Sequence, residues 1–243
     1  KYTLTLQPLL KEGEEIVSGL LSCTGCSEWF PILRGIPRML LGELRNNLVL
    51  APHSEFLTTY HSQLPSAIAA SWDKALRSSA HKENLKVKTA QSFGYEWTTF
   101  HVMCDAYRQN FIDYIAPLNE SFLKGKIVLD AGCGVGRHTY WAAKFGAKEV
   151  IGMDLSDAVE ASANNTKNLP NVHIVQGDIY SPPFNQIFDY VMSIGVLHHL
   201  PDPKSGFDSL IPSLKKGGTI SIWVYGRRYN ASNVYLYETL RLI

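Results

Sequence analysis

The stretch that decides the fold is residues 127–137, which read IVLDAGCGVGR. An apolar run ends in an acid, glycines follow at alternate positions, and a helical pattern then begins. This order predicts a strand, a tight turn and a helix start. Glycines allow positive φ and the close approach of a ligand, and the amides of a first helical turn face the same spot. We therefore expect a nucleoside-bearing cofactor at this turn.

Two residues distinguish between the nucleoside cofactors. The dinucleotide-binding fingerprint requires a glycine directly after Gly136, and Arg137 stands there instead. Asp130, at the carboxyl end of the strand, would repel a pyrophosphate but would attract a ligand that carries an ammonium and a sulfonium. S-adenosylmethionine carries both groups. The pattern therefore favours S-adenosylmethionine over a nicotinamide dinucleotide.

The segments that follow continue the alternation of strands and helices. A second strand, residues 148–154, ends in Asp154, roughly twenty residues past the glycines, where a carboxylate can accept hydrogen bonds from ribose hydroxyls. Further strands are predicted at residues 172–179, 188–193 and 219–225. Parallel strands of an open sheet end at the edge where ligands bind. The sequence thus predicts an α/β fold with a Rossmann-like, doubly wound, mostly parallel sheet.

Linked motifs over residues 90–230 resemble the class I S-adenosylmethionine-dependent methyltransferases, of the small-molecule type similar to ubiquinone and menaquinone methylases. The resemblance rests, in this order, on VLDAGCGVGRHT, VIGMDLS, VQGDI, FDYVMSIGVLHHLPDP and LKKGGTISIWV. A single glycine-rich turn is a weak signal, but several motifs in the right order are specific. We therefore expect methyl transfer from S-adenosylmethionine to a small-molecule acceptor.

The resemblance also implies which residues bind the cofactor. It assigns the methionine end to the turn after the first strand, the ribose to the end of the second, the adenine to the end of the third, and the sulfonium side to the backbone after the fourth. In that order the implied residues are Asp130, Gly132, Cys133 and Gly134; Asp154 and Leu155; Asp178 and Ile179; Ser193 and Gly195. These roles come from the resemblance and not from spacing.

Each acid also has a plainer interpretation. Asp157, Asp189 and Asp202 are better explained as helix caps, turn formers or surface groups, because aspartate favours such positions. Asp178 follows Gly177 and could equally form a turn. An acid that ends a buried apolar strand, by contrast, must find donors, which favours ligand binding at the other two strand ends.

An aromatic segment, residues 91–100, precedes the glycine turn and a predicted helix at residues 103–115. In similar methyltransferases such a segment closes over the cofactor, and Tyr95 would then touch the cofactor carboxylate. Aromatic faces suit a sulfonium, and a lid that excludes water favours transfer. The alternative is that Phe93, Trp97 and Phe100 form the apolar face of a helix that packs on the sheet.

His198 and His199 follow the fourth strand and are the candidate catalytic residues. Methyl transfer requires the acceptor atom in line behind the methyl carbon, and a base is needed only if the acceptor must lose a proton early. Histidine has a suitable pKa for such a base. The alternative is that this pair belongs to the family's loop pattern and only shapes the pocket.

Residues 21–40 resemble the second half of a small zinc-ribbon family, one member of which activates tRNA methyltransferases. That family closes a tetrahedral zinc site with two cysteine pairs, whereas only Cys23 and Cys26 are present here. His53 or His61 could complete a site, but surface histidines are the commoner case. We expect no bound metal, and a ribbon that has lost its zinc or has its first cysteine pair upstream.

Composition limits the possible functions. The chain has 243 residues, 45% of them hydrophobic, and a net charge of +1. It can bury one α/β core and a smaller appendage, and it has no basic block, which counts against an RNA substrate. The four cysteines suggest no disulfide framework, and no apolar run is long enough to span a membrane. We therefore expect a cytoplasmic protein without nucleic-acid or membrane partners.

Three regions are expected. Residues 1–50 would form the degenerate ribbon, residues 51–118 a helical linker and lid, and residues 119–243 the cofactor-binding core. The family's sheet has two more strands than this sequence offers after residue 225, so we expect either a fragment or an edge completed in another way.

Two rival functions stay open. The chain could be an accessory module that binds the cofactor without catalysis, or, less favoured, a nicotinamide-dependent oxidoreductase. The sequence alone specifies neither the acceptor, nor the methylated atom, nor the oligomeric state.

Overall fold

The computed structural model describes residues 3–78, 85–99, 103–104 and 106–226. Within these ranges the chain forms an antiparallel sheet near its start and a parallel sheet in its second half, with helices around both. Phe100 and residues 227–243 lie outside the described residues.

The N-terminal sheet has four antiparallel strands in sequential order. They are β1 (Leu4–Glu12), β2 (Glu15–Cys23), β3 (Trp29–Leu33) and β4 (Ile36–Pro37). Every residue of β3 is buried, as its continuous apolar sequence predicts. Consecutive strands that pair as hairpins need only short turns, and Gly13, at φ +63°, supplies the first of them.

Short helices pack against this sheet around a buried tryptophan. They are α1 (Gly42–Arg45), α2 (Ser54–Tyr60) and α3 (Ser66–Ser78). The Trp72 ring stacks on Phe56 and Trp29 at centroid distances of 5.1 and 5.6 Å, and its N–H donates to the Leu50 carbonyl at 3.3 Å. The cluster runs from Leu20 to Ala90. The boundary expected at residue 50 falls inside it, and the division into three regions stays a prediction.

The parallel sheet confirms the predicted α/β fold. Its strands are β5 (Ile127–Ala131), β6 (Glu149–Asp154), β7 (Val172–Gln176), β8 (Phe188–Ile194) and β9 (Leu214–Trp223). They pair in the order β7-β6-β5-β8-β9, and all the pairs are parallel. The order reverses between β5 and β8, which is where open α/β sheets bind ligands. The last strand begins at Leu214, five residues before the predicted start at residue 219.

Helices α4 (Leu85–Thr99), α5 (Ala106–Ile115), α6 (Arg137–Lys144), α7 (Ala158–Thr166) and α8 (Pro203–Leu210) complete the described part of the fold. Helices α6, α7 and α8 connect the parallel strands, α5 packs on α6, and α4 packs on α7. Residues 91–99 of the aromatic segment therefore fall in α4. None of the helices in the described ranges is both long and apolar enough to cross a membrane.

A backbone bridge joins the two sheets. Arg38, directly after β4, pairs in parallel with Gln176 at the end of β7, and the Met39 amide donates to the Gln176 carbonyl at 2.8 Å. Ile36 packs beside this bridge against Val159 and Ile174. The N-terminal sheet therefore continues the outer edge of the parallel sheet, which the sequence analysis did not predict.

The guanidinium of Arg38 is fully buried at this junction. It donates to the Gln176 side-chain oxygen at 3.2 Å, to the Leu33 carbonyl at 3.5 Å and to the Glu160 carboxylate. Burial lowers the pKa of Arg38, and Glu160 opposes that change. A buried charge is tolerated only when it is paired and hydrogen-bonded in this way.

Replacement of Arg38 should test the junction. Arg38→Met leaves Glu160, whose side chain is 26% exposed, and Gln176 without their shared donor. We expect the free energy of unfolding to fall by about 2–3 kcal/mol, somewhat less than for a fully buried pair. Urea denaturation followed by circular dichroism measures the change.

Arg34→Met is the matched control. Arg34 reaches the same carboxylate at 3.6 Å, but its side chain is 66% exposed. An exposed pair of this kind contributes under about 0.5 kcal/mol. Equal losses in the two variants would contradict the role assigned to the buried guanidinium.

Candidate active site

The turn after β5 brings its backbone close to two neighbouring loops. Gly132 has φ +87°, and a Cβ there would lie 2.5 Å from a Val196 methyl carbon. Gly136 has φ +81°, and a Cβ there would lie 2.4 Å from the Ser162 hydroxyl oxygen. Only glycine meets both requirements, which explains the alternating glycines.

Backbone donors of this turn are used within the protein. The amides of Gly132 and Cys133 donate to the Met153 carbonyl at 2.7 and 3.0 Å. The Gly134 amide donates to an Asp154 carboxylate oxygen at 2.9 Å. These three predicted cofactor residues therefore hold the turn against the end of β6. A ligand at the turn would contact their backbone. The Cys133 thiol is buried, and burial raises its pKa.

Asp130 is fully buried near the end of β5, and among the described residues only one of its two carboxylate oxygens has a hydrogen-bond partner. One carboxylate oxygen accepts from the Thr139 hydroxyl at 2.7 Å, whereas the other, Oδ1, has no partner among the described residues. Burial raises the pKa of Asp130 to about 6, partly offset by the Thr139 hydrogen bond. A buried carboxylate oxygen without a donor is costly, so this one could hold an ammonium group.

Asp154, at the end of β6, is well satisfied. One oxygen accepts from the Gly134 amide at 2.9 Å, and the other accepts from the Ser156 amide and hydroxyl at 2.9 and 2.7 Å. A carboxylate has about four acceptor positions, so at least one stays available to a ligand hydroxyl. Leu155 packs against the N-terminal cluster, and its carbonyl accepts from the Gln176 side chain at 3.0 Å.

Asp178 lies in the loop after β7. The Tyr180 amide donates to one of its oxygens at 3.0 Å, which is the turn predicted as the plainer interpretation. The Lys86 ammonium, from α4, donates to the other oxygen at 2.9 Å. Ile179 is buried beside it. Lys86 also lies 4.0 Å from the centroid of the Tyr180 ring, and nothing in the sequence had indicated this lysine.

The end of β8 is hydrogen-bonded to the two neighbouring strands, β5 and β9. The buried Ser193 hydroxyl donates to the Ala131 carbonyl at 2.8 Å, and the Gly195 amide donates to the Trp223 carbonyl at 2.9 Å. Their hydrogen-bonding groups thus join β8 to β5 and β9. The contact of these two residues with the cofactor stays a prediction.

The two candidate histidines differ in their surroundings. They lie in a single helical turn, Leu197–His199, with ring centroids 4.0 Å apart. Neither ring nitrogen of His198 has a hydrogen-bond partner among the described residues, and burial lowers its pKa to about 4. His199 is exposed. The ring of His198 is therefore neutral near pH 7 and the better placed to contact a bound molecule.

Aromatic rings form a continuous row beside His198. The centroid distances are 4.6 Å from His198 to Tyr225, 5.1 Å from Tyr225 to Trp223 and 4.7 Å from Trp223 to Tyr114. His138 contacts Tyr114 at the far end, and burial lowers its pKa to about 3. Sequence analysis missed this row, although the two aromatic residues at the end of the last predicted strand were a usable signal.

Helix α4 lies beside the same edge of the parallel sheet. Gly94 faces the loop after β6, where a Cβ would lie 3.5 Å from the Asp157 amide nitrogen. Tyr95 is 75% exposed. The side chains of Phe93 and Trp97 lie outside the described residues. The lid role of Tyr95 stays a prediction.

Two of the three acids with plainer interpretations have structural partners. Asp202 caps α8 by accepting from the Ser205 amide at 3.1 Å. Asp189, at the start of β8 and thus at the opposite edge of the sheet, accepts from the Ile127 amide at 2.9 Å and from Lys215 at 2.8 Å. These structural interpretations are confirmed. Asp157 precedes α7 and makes no side-chain cap.

The N-terminal cysteines belong to the antiparallel sheet and the turn that follows β2. Cys23 ends β2 and Cys26 lies in the following turn, and a hydrogen bond between them lowers the pKa of Cys23. His53 lies beside Glu55, and His61 lies beside Asp73. The described residues contain no group of three or more potential metal ligands. The zinc-ribbon resemblance stays a hypothesis.

Known proteins resemble the second half of the chain. A methyltransferase domain family model matches residues 129–222. A tRNA U34 carboxymethyltransferase of Alteromonas mediterranea is 36% identical over 116 residues, 44% of this chain and 35% of the relative. A ubiquinone biosynthesis O-methyltransferase of Hydrogenovibrio crunogenus is 29% identical over 127 residues, 48% of this chain and 52% of the relative.

A solved structure from Methanococcus maripaludis, described as an S-adenosylmethionine-dependent methyltransferase, is 21% identical and aligns with a TM-score of 0.48 over 67% of this chain and 74% of its own. The chain spans about a third to a half of the length of the curated relatives it matches. Residues 129–222, which contain most of the parallel sheet and its acid-bearing strand ends, thus resemble a methyltransferase domain.

Proposed function

We propose that this chain transfers the methyl group of S-adenosylmethionine to a small organic acceptor. The observation that carries the proposal is the buried Oδ1 oxygen of Asp130, which lies beside the glycine turn and has no hydrogen-bond partner among the described residues. A ligand ammonium would give that oxygen its missing donor, and a charge-assisted hydrogen bond of this kind is strong. A phosphate could not do so.

The residues around the turn fit the rest of the cofactor. Gly132, Cys133 and Gly134 would form the floor under its methionine end. Asp154, with Leu155 beside it, has an acceptor position left for a ribose hydroxyl. The cofactor supplies a methyl group activated by a positively charged sulfur. What the protein adds is orientation and exclusion of water.

The adenine and sulfonium contacts follow from the same loops. Asp178 and the buried Ile179 lie after β7 and would take the adenine. Ser193 and Gly195 lie at the end of β8, next to the switch point of the sheet, and would border the sulfonium. Tyr95 of α4 would close over the cofactor. These proposed contacts lie at or beside the carboxyl ends of neighbouring strands, where open α/β sheets bind their ligands.

We infer that the acceptor lies against the aromatic row and His198. A neutral imidazole that has no hydrogen-bond partner among the described residues can accept a hydrogen bond from an acceptor hydroxyl or amine. The acceptor oxygen or nitrogen would take the methyl carbon as the carbon–sulfur bond breaks and S-adenosylhomocysteine is released, and the proton of the acceptor would leave to solvent. The low pKa makes His198 a weak base, so its role would be to orient the acceptor. His199 is the less favoured candidate because it is exposed.

An RNA acceptor is the second candidate. The relative named as a tRNA U34 carboxymethyltransferase favours it. The relative named as a ubiquinone biosynthesis enzyme favours a small molecule, and the balance of 23 basic against 22 acidic residues lacks the excess of positive charge that RNA binding uses.

Two assays test the proposal. Titration calorimetry with S-adenosylhomocysteine should show binding, and NADH should give none. Transfer of labelled methyl from S-adenosylmethionine should then be followed with a panel of phenols, amines and carboxylic acids, and in parallel with bulk tRNA. Methyl transfer to tRNA but to no small molecule would show that the acceptor is RNA. Binding of S-adenosylhomocysteine without methyl transfer to any acceptor would favour an accessory module.

Asp130→Asn should move stability and cofactor binding in opposite directions. A carboxyl whose pKa is near 6 in the folded protein, against 3.8 unfolded, holds its proton more tightly when folded. Stability from this group is therefore lost as the pH rises from about 4 to 6. The neutral amide should raise the free energy of unfolding at pH 7.5 by about 1–3 kcal/mol, and the gain should shrink toward pH 4.

The same variant should bind S-adenosylhomocysteine about 10- to 100-fold more weakly, because the ammonium loses a charged partner. Thermal melts from pH 4.5 to 8 and calorimetry measure the two effects. Asp208→Asn, which changes an exposed acid of α8, is the control and should alter neither. A destabilised Asp130→Asn protein that binds normally would rule out this role.

His198→Phe keeps a ring of similar size but removes the hydrogen-bond acceptor. Once an acceptor is known, we expect kcat to fall about 10- to 100-fold with little change in cofactor affinity. His199→Phe should stay within about threefold of the parent, since surface substitutions rarely matter. Steady-state kinetics of both variants measure the change in kcat. A larger loss of kcat in His199→Phe would assign the orienting role to His199 instead of His198.

A further inference from the structure

The first turn of α4 blocks part of the proposed cofactor site. Lys86 extends from this turn to the loop after β7, where its ammonium lies 2.9 Å from an Asp178 oxygen. Eight residues further along the helix, Gly94 lies against the loop after β6, next to Ser156 and Asp157. The helix therefore touches both loops whose acids are proposed to bind the nucleoside.

Lys86 makes two favourable contacts at once. Besides its ion pair with Asp178, the ammonium lies 4.0 Å from the centroid of the Tyr180 ring. That ring is held in place, because its hydroxyl donates to the Asp202 carbonyl at 3.1 Å and accepts from the Asp202 amide at 2.9 Å. An ion pair that is partly buried, with a cation–π contact added, is a specific arrangement.

The two contacts of Lys86 are the ones that an adenine ring would use. The exocyclic amine of adenine donates hydrogen bonds, as the ammonium does to Asp178, and a flat ring would stack on the same aromatic face. The other Asp178 oxygen already accepts from the Tyr180 amide at 3.0 Å. An ammonium and an adenine cannot both hold these positions.

We propose that Lys86 is a latch, meaning a side chain that holds α4 against the proposed adenine position and must withdraw when the cofactor binds. This inference rests on the proposed function, since it takes Asp178 as an adenine contact. The Lys86 ammonium and the adenine amine would then compete for the Asp178 carboxylate when the cofactor enters. It also places a positive charge in front of a positively charged ligand, which opposes entry further.

Lys86→Met tests the latch, because it removes the ammonium and keeps a long apolar side chain. We expect S-adenosylhomocysteine to bind about 3- to 10-fold more tightly, the range that an ion pair with a cation–π contact supplies. Raising NaCl from about 50 to 500 mM should tighten binding to the parent protein and leave the variant unchanged, because salt screens the latch. Lys86→Gln should behave like Lys86→Met.

Lys215→Met is the matched control. It removes a lysine that pairs with an aspartate at a similar distance, 2.8 Å, but at the opposite edge of the parallel sheet. Its cofactor affinity should equal that of the parent. Thermal melts of all variants confirm that each is folded before binding is measured.

The outcomes separate the latch from the proposed function. Tighter binding by both Lys86 variants supports the latch, also where the parent binds too weakly to detect. Unchanged or weaker binding overturns it while the proposed function stands, because Lys86 would then be neutral or a clamp on the cofactor. If the parent and both Lys86 variants are folded and none binds S-adenosylhomocysteine, the proposed function and the latch both fail.

Discussion

The arrangement of the site depends on one hydrogen bond, from the Gly134 amide to the Asp154 carboxylate. It joins the glycine turn after β5 to the loop after β6, and the amides of Gly132 and Cys133 reinforce it from the same turn. A parallel sheet brings strand ends to one edge but does not by itself fix the loops that follow them. Here the Asp154 carboxylate fixes the glycine turn.

Two acids that look alike in the sequence have opposite surroundings. Asp154 is satisfied by the protein, whereas Asp130 has an oxygen without a partner among the described residues and a raised pKa. The strand that precedes each one is apolar, so local pattern alone treats them as equal. The difference comes from the donors nearby: Ser156, two residues after Asp154, donates to it twice, while Asp130 accepts from the Thr139 hydroxyl of the next helix. A raised pKa at a buried carboxyl is a common mark of a functional position.

Much of the parallel sheet could be predicted from the sequence, because β5 to β8 are short, mostly apolar runs that end in an acid or are followed directly by a glycine. The predicted edge, the switch point and the acids at the strand ends all follow from such local signals. Contacts between distant segments could not be predicted. Lys86 and Asp178 are 92 residues apart, and Arg38 and Gln176 are 138 apart. A lysine or arginine that is buried in the fold looks like a surface residue in the sequence.

The bridge between Arg38 and Gln176 lies at the outer edge of the parallel sheet. β7 is the outer strand of the parallel sheet, and the bridge to Arg38 pairs its last residue, Gln176. A row of unpaired amides and carbonyls on an outer strand is a template for pairing with other chains, and proteins generally cover it or protect it with charge. The bridge thus covers one end of this edge, and a form of the domain without the N-terminal strands would expose that end as well.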